Sequence, residues 1–329
     1  MRSIGLALVA LTALCACSQN GGGGAATNAT VIRFATDWRA EAEHGGFYEA
    51  LATGEYARRG LDVRIIEGGP TVNVPELVAS GAVEMGDGSN SFIVMNLANG
   101  HAPVRAVAAF MQKDPQVLLA HPDVGIDQIG DMKGHPILLS DASRTAFWPW
   151  MRAKYGFSDS QMRSYTFNNG PFILDKQAVQ EGYVTSEPYT VEKEGKFKPR
   201  VFLLADQGYP SYAAMVLAPD RLIATNPAAI RAFVEASAVG WREYLHGDPQ
   251  PADALILKDN PDMTEDILAQ ARDKMRQYGL VDGGDAPTLG IGAMTDQHWA
   301  DFFKIASDKG MANYKNAFSL QFLPNPPVK

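Results

Sequence analysis

The chain has 329 residues, 46% hydrophobic and 20% charged, with 37 acidic against 29 basic side chains and a net charge of −8. Its length exceeds what one hydrophobic core usually supports, so two lobes are expected. The acidic balance, without a basic cluster, argues against nucleic acid as a partner. Both cysteines, Cys15 and Cys17, lie near the start, so the body of the chain has no disulfide, thiolate metal site or Cys nucleophile.

Arg2 precedes an apolar run from Ile4 to Leu14. The run is shorter than the roughly 20 residues a spanning helix needs. It reads as a secretory signal whose cleavage end is Leu14-Cys15-Ala16-Cys17. A Cys just past such a cut, preceded by Leu and Ala, resembles the lipobox of bacterial lipoproteins. That resemblance implies loss of residues 1–16, a lipid on Cys17, and a chain tethered to the periplasmic or extracellular face of a bacterial membrane. The alternative is a plain secretory signal with an incidental Cys. Residues 17–29, Gly-rich and uncharged from Ser18 to Ala26, read as a flexible tether. No second apolar run reaches membrane-spanning length, so only the lipid would hold the chain to a membrane.

Beyond the tether, short β-rich runs alternate with helical patterns. Strands are expected at 31–35, 61–66, 83–86 and 104–110. Helices are expected over 44–59, with Phe47, Ala50, Leu51 and Gly54 on one face, over 74–79 and over 89–99. A second series follows, with strands at 116–120, 137–139, 164–167, 182–185, 201–204 and 213–217 and helices over 143–155 and 171–180. After Asn226 the pattern is helical. Ile230, Phe233, Val234, Trp241 and Leu245 share one face, as do Ile267, Leu268, Ala271, Met275 and Tyr278. Thr295 reads as the N-cap of a last helix ended by Gly310, and the tail 324–329 as extended. Alternation of this kind argues an α/β fold with parallel sheets. Residues 30–113 and 216–329 are expected to form lobe 1 and residues 114–215 lobe 2, joined by a hinge, with a small-molecule cleft between them.

Several segments resemble the periplasmic substrate-binding proteins of ABC transporters, in particular the branch with the thiamine-pyrimidine precursor binders, the thiamine-pyrimidine synthase and the sulfonate and nitrate binders. They are Asp37-Trp38-Arg39 with His44-Gly45-Gly46-Phe47-Tyr48, Glu76 to Gly81 with Met85-Gly86-Asp87-Gly88, Ile129 to Gly134, Gly182-Tyr183 with Glu187-Pro188-Tyr189, and Ala317 to Pro324. The resemblance covers most of the mature chain, in order. It implies a type II periplasmic binding protein-like fold, a small-molecule ligand, and an ABC permease with its ATPase as partners. The protein is expected to act as a monomer, without cofactor or metal.

The loops of these segments supply the candidate ligand-binding residues. Asp37 and Trp38 follow the first strand, where ligands bind in open α/β sheets, and Trp38 offers a flat apolar face with an N–H donor. His44 and Gly45 open the next helix. Asp87, Ser89 and Asn90 lie in a Gly-bearing turn where a hydroxyl or amide either meets a ligand or caps the helix. Ser140 and Thr145, then Asn168 and Asn169, form comparable turns in the second lobe. Tyr183, Glu187 and Tyr189 complete the set. In the pyrimidine-binding relatives an acidic residue near Glu187 hydrogen-bonds the ring nitrogen and amino group. Here Ser186-Glu187-Pro188 replaces a more aromatic neighbourhood.

The expected function is capture of a small heteroaromatic or aromatic metabolite, like a thiamine-pyrimidine precursor, for an ABC importer. Binders of sulfonate, nitrate, riboflavin or hydantoin look alike at this level. An enzyme of the pyrimidine-synthase kind is disfavoured, because those relatives use a Cys-rich segment and nothing past Cys17 is cysteine.

Overall fold

The computed structural model describes residues 29–306 and 310–329. The signal, Cys17 and the tether up to residue 28 fall outside the described residues. The strands are β1 (Thr30–Ala35), β2 (Leu61–Ile66), β3 (Met85–Asn90), β4 (Val104–Met111), β5 (Gln116–Ala120), β6 (Ile137–Leu139), β7 (Met162–Ser164), β8 (Val179–Tyr183), β9 (Arg200–Leu203) and β10 (Ala213–Pro219). They form two five-stranded sheets, ordered β2-β1-β3-β10-β4 and β7-β6-β8-β5-β9.

The two-lobed α/β architecture is present, and its sheets are mixed rather than wholly parallel. In the first, β1 runs parallel to β2 and β3, with Thr30 opposite Leu61 and Phe34 opposite Met85. β10 lies antiparallel between β3 and β4. In the second, β6 is parallel to β7 and β8, and β5 lies antiparallel between β8 and β9. Each antiparallel strand is the first laid down after the chain changes sheets. The two crossings are tied where Asp114 N–H donates to the Ser211 carbonyl at 3.0 Å. Ala213 is already paired with Asn90 and Met111 in the first sheet, ahead of the return expected at residue 216.

Local signals explain most element ends. Asn73 caps the helix Val74–Ser80 by accepting from Glu76 N–H at 3.2 Å, with Pro75 in its first turn. Thr295 accepts from His298 N–H at 3.2 Å at the head of Asp296–Ala306; residues 307–309, just before the expected stop at Gly310, lie outside the described residues. Several expectations shift. The helices expected over 44–59 and 143–155 are each split in two, and the strand expected at 164–167 lies at Met162–Ser164. The expected strand 83–86 instead runs over Met85–Asn90, so Ser89 lies in a strand rather than opening a helix. The helix expected over 171–180 ends at Leu174, and Val179–Tyr183 is a central strand. Its buried Gln180 and Glu181 hide it from a reading based on apolar runs. Residues 184–186 are therefore a turn, and Glu187 opens a helix, Glu187–Gly195, that the sequence reading missed.

The helix Pro227–His246 buries its expected stripe: Ile230, Phe233, Val234, Ser237, Trp241 and Leu245. It packs against Gly45–Ala52, the helix that carries the site, at unusually close range. A Cβ on Gly46 would lie 2.1 Å from Trp241 Cγ, and one on Gly240 would lie 2.1 Å from the Gly46 carbonyl oxygen. Phe47 then reaches Phe110 and Trp241, edge to face. This contact fixes the height of His44 above the first sheet.

Gly46→Ala should lower the unfolding free energy by about 2 kcal/mol through overpacking. Gly130→Ala, where a Cβ would meet nothing within 4 Å, should change it by less than about 0.5 kcal/mol. Urea unfolding checks both, and equal losses would contradict the packing account.

Candidate functional site

Asp37 and Trp38 leave the end of β1 in a turn held by two bonds to the Trp38 carbonyl, from Thr36 Oγ1 at 2.7 Å and from Gly68 N–H at 3.1 Å. The chain then forms a short 3-10 turn, Ala42–His44, before the helix Gly45–Ala52. His44 Nε2 lies 3.0 Å from Asp37 Oδ1 and 3.6 Å from Asp87 Oδ2 of the neighbouring strand β3. The three donor atoms lie within 4.8 Å of one another, a spacing compatible with a cation. No metal signal is legible in the sequence, because Asp87 is remote along the chain and reaches His44 only through sheet pairing. His44 and Asp87 are buried.

The second lobe brings a different set. Glu187 folds back under β8 and accepts from Tyr183 N–H at 2.7 Å and from Tyr165 Oη at 3.3 Å. Gly182 makes this possible, since a Cβ there would sit 2.7 Å from Glu187 Cβ. Asn169 accepts from Gln180 Nε2 at 2.9 Å and donates to Thr190 Oγ1 at 3.1 Å, which braces the Glu187 helix.

Residues of both lobes meet over this floor. The Trp38 and Phe167 ring centroids lie 4.7 Å apart. Thr185 Oγ1 donates to Glu43, and Gln270 Nε2 donates to the Thr185 carbonyl. Tyr189 Oη donates to Asp266 Oδ2 at 2.5 Å, beside Lys193 at 2.8 Å from the same oxygen.

The electrostatics are one-sided. Burial works against charge on Asp37, yet the hydrogen bond and charge of His44, with help from Ser89, hold it below the usual carboxylate range. Burial and then the neighbouring Asp37 push Asp87 well above it. Burial also raises Glu41, helped by the charges of Glu43, Asp37, Glu187 and Asp87. Glu43 is raised by burial against the opposing pull of Thr185. Burial carries Glu187 up to about 7 despite the Tyr183 N–H, and Asp114 at the crossing likewise to about 7. Tyr183 is raised by burial and by the charges of Asp114, Asp37, Glu41 and Asp87.

The structure thus brings together Asp37, Trp38, His44, Asp87, Ser89, Tyr183 and Glu187. Other expected residues have local partners. Gly45 lies beneath Tyr244, whose ring a Cβ would overlap at 2.0 Å. Asn90 caps Ser91–Asn99. Ser140 bonds Glu181 and Ser143. Thr145 is exposed and bonds the Ala142 carbonyl at 3.1 Å. Asn168 closes a turn onto Gly170 N–H at 2.8 Å, and Tyr189 bridges the lobes at the rim. The sequence reading missed Glu41, Glu43, Asp114, Tyr165, Phe167 and Thr185. The run Glu41-Ala42-Glu43-His44 was a visible signal for the first two. Concavities of about 280 Å³, beside Lys133 and Arg163, and about 270 Å³, beside Asp285 and His298, share no residue with this cluster. Among the described residues no helix is long and apolar enough to cross a membrane.

The chain is similar to several known proteins. The chain is similar to the riboflavin-binding protein RibY of Chloroflexus aurantiacus, 24% identical over 84% of this chain and 82% of that one. It is also similar to the formylaminopyrimidine-binding protein of Halalkalibacterium halodurans, 24% identical over 80% and 81%. The 4-amino-5-hydroxymethyl-2-methylpyrimidine phosphate synthase of Schizosaccharomyces pombe is 26% identical over 65% and 69%. In fold it matches the periplasmic sulfonate-binding protein SsuA of Methylobacillus flagellatus, with a TM-score of 0.63 at 13% identity over 90% of this chain and 93% of that one. The NMT1/THI5-like family model matches residues 41–252, more than half of the sequence, and the chain belongs to that family.

Proposed function

We propose that this protein is a solute-binding lipoprotein that captures a small flat heteroaromatic metabolite between its lobes and delivers it to an ABC permease and its ATPase. The observation that carries the reading is the Trp38–Phe167 pair, one ring from each lobe, above a floor of Asp37, Asp87, Tyr183 and Glu187. The two rings touch at a tilt of 48°, so a planar solute enters by parting them and lies against their flat faces. Polar groups fixed by their own bonds set its orientation. The hydrogen bonds from Thr185 to Glu43 and from Tyr189 to Asp266 join the lobes, so a ligand that bridges them favours the closed form. The riboflavin- and formylaminopyrimidine-binding relatives support a nitrogen heterocycle.

Sulfonate and nitrate are the weaker reading, because the floor presents carboxyls, which repel anions. Catalysis of the synthase kind is disfavoured by the lack of cysteine after Cys17. Cys17 is the proposed lipid attachment point, placing the cleft outside the cytoplasmic membrane.

In a thermal-shift screen over pyrimidines, flavins, aromatic acids and alkanesulfonates, a heterocycle should give the largest rise in Tm. Its affinity should fall at least tenfold, about 1.4 kcal/mol, in Trp38→Ala. A hit untouched by both Trp38→Ala and Glu187→Gln would remove the cleft from consideration, and turnover of the hit would replace binding with catalysis. The ligand-free protein carries a pH signature. Glu187 titrates near 7 in the fold against an ordinary value of 4.5, so its contribution to stability is intact below about pH 4.5 and is lost as the pH rises through 7. Glu187→Gln should therefore gain in Tm relative to the parent between pH 5 and pH 8, whereas a constant difference across that range would refute the shift. Radiolabelled palmitate should enter the full-length protein in bacteria and not Cys17→Ser; label retained by the variant would disprove the anchor.

A further inference from the structure

Three features of the cleft point to the charge of its ligand. The first is the excess of acceptors. Asp87 Oδ1, Asp114 Oδ2 and Gln116 Oε1 are buried without a hydrogen-bond partner, and Asp87 and Asp114 are 2% and 1% exposed. Gln116 pairs with Tyr183 across β5 and β8 and donates its backbone N–H to Asp114 Oδ1 at 3.0 Å, while Asp87 lies 3.6 Å from His44. These buried, unmatched acceptors require donors.

The second feature is the lack of compensating cations. Asp37 and Asp87 share the single imidazole of His44. Among the described residues, neither they nor Glu41, Glu43 and Glu187 pair with any Lys or Arg, although both side-chain types pair freely elsewhere, as in Arg33–Glu84 and Lys193–Asp266. The Asp37 and Asp87 oxygens at His44 lie within 4.8 Å of one another, and like charges at that range repel strongly at the effective dielectric of a protein surface. With one imidazole between them, the two carboxyls cannot both stay ionised unopposed. Either protons or a cation must neutralise them.

The third feature is breadth. The acceptors come from the β1 turn, from the 3-10 turn at 42–44, from β3, from the crossing at Asp114 and from the start of the Glu187 helix. A metal ion at Asp37, His44 and Asp87 would engage only part of this set. It would also leave His44 Nδ1 without the partner that metal-bound imidazoles generally have.

We propose that the ligand is a flat organic cation whose charge is carried on N–H donors, such as an amidinium or a protonated aminoheteroaromatic, and that its entry expels a proton held within the Asp37–Asp87 pair. The exchange balances: a neutral carboxyl and a cation become a carboxylate–cation pair and a solvent proton. The titratable group in contact with this pair is His44, at 3.0 and 3.6 Å, and the charges of Glu41, Glu43 and Tyr183 act on it from the 3-10 turn and β8. This rests on the cleft assignment above and narrows its ligand to one charge class.

Benzamidine, benzamide, benzoate and benzenesulfonate share a ring and differ in charge, and calorimetry at pH 7 in phosphate and in Tris counts the protons exchanged. Benzamidine should bind at least tenfold tighter than each of the other three and release roughly one proton per molecule bound. Glu41→Gln, at a half-buried position, and Asp87→Asn should each weaken it several-fold and reduce the release. Tighter binding of benzamide or either anion, no benzamidine binding, or proton uptake would overturn the proposal. So would Zn²⁺ or Mn²⁺ alone stabilising the protein more than benzamidine, with the gain lost in His44→Ala. If benzamidine behaves as expected but ignores Trp38→Ala, the charge assignment stands and the aromatic wall falls.

Discussion

The site depends on one constraint, which is that two carboxyls, Asp37 and Asp87, crowd the single imidazole of His44. Asp37, bonded by His44, is held below the usual carboxylate range, and Asp87, buried and next in line for the same imidazole, is pushed well above it. Glu41 and Glu187 are raised by burial from opposite lobes. The scaffold serves this arrangement. Gly46 and Gly240 let two helices approach until Trp241 supports the residues just after His44, and the β1–β3 pairing carries Asp87 to the same spot.

Around the cleft the lobes are joined by the Trp38–Phe167 ring contact and by polar bonds. Thr185 is engaged twice, by its hydroxyl to Glu43 and by its carbonyl from Gln270. Asp266 gathers Tyr189, Lys193 and Thr264 at the rim. Exposed pairs of this kind contribute little individually. Their sum can hold a closed form in balance, and a few kcal/mol from a bridging ligand is enough to shift it.

Much of this was legible in the sequence. The alternation of strands and helices in residues 30–111 gave the first sheet, and the stripe from Ile230 to Leu245 gave its covering helix. Asp37, Trp38 and His44 stood out because polar and aromatic residues follow a strand end. What failed had physical causes. Gln180 and Glu181 sit in a core strand, so no apolar run marked it, and the Glu187 helix was lost with it. Asp87 was assigned to a turn, whereas pairing with β1 and β10 makes it the buried partner of His44. Phe167 adopts a positive φ of 60°, a backbone state that residue type does not announce. Asn90, Ser140 and Asn168 carry the right chemistry for a ligand and spend it on caps and turns two or three residues away, an alternative that residue type alone does not separate from ligand binding.

The most direct test of the central claim is a crystal structure of the protein purified from bacterial membranes without stripping of bound solute. The account predicts density for one planar molecule between the lobes, lying against Trp38 or Phe167 once the rings have parted, with nitrogen atoms within hydrogen-bonding distance of Asp87 and Glu187. Density for a solute elsewhere, such as the concavity beside Asp285 and His298, with the space between Trp38 and Glu187 holding only water, would contradict it.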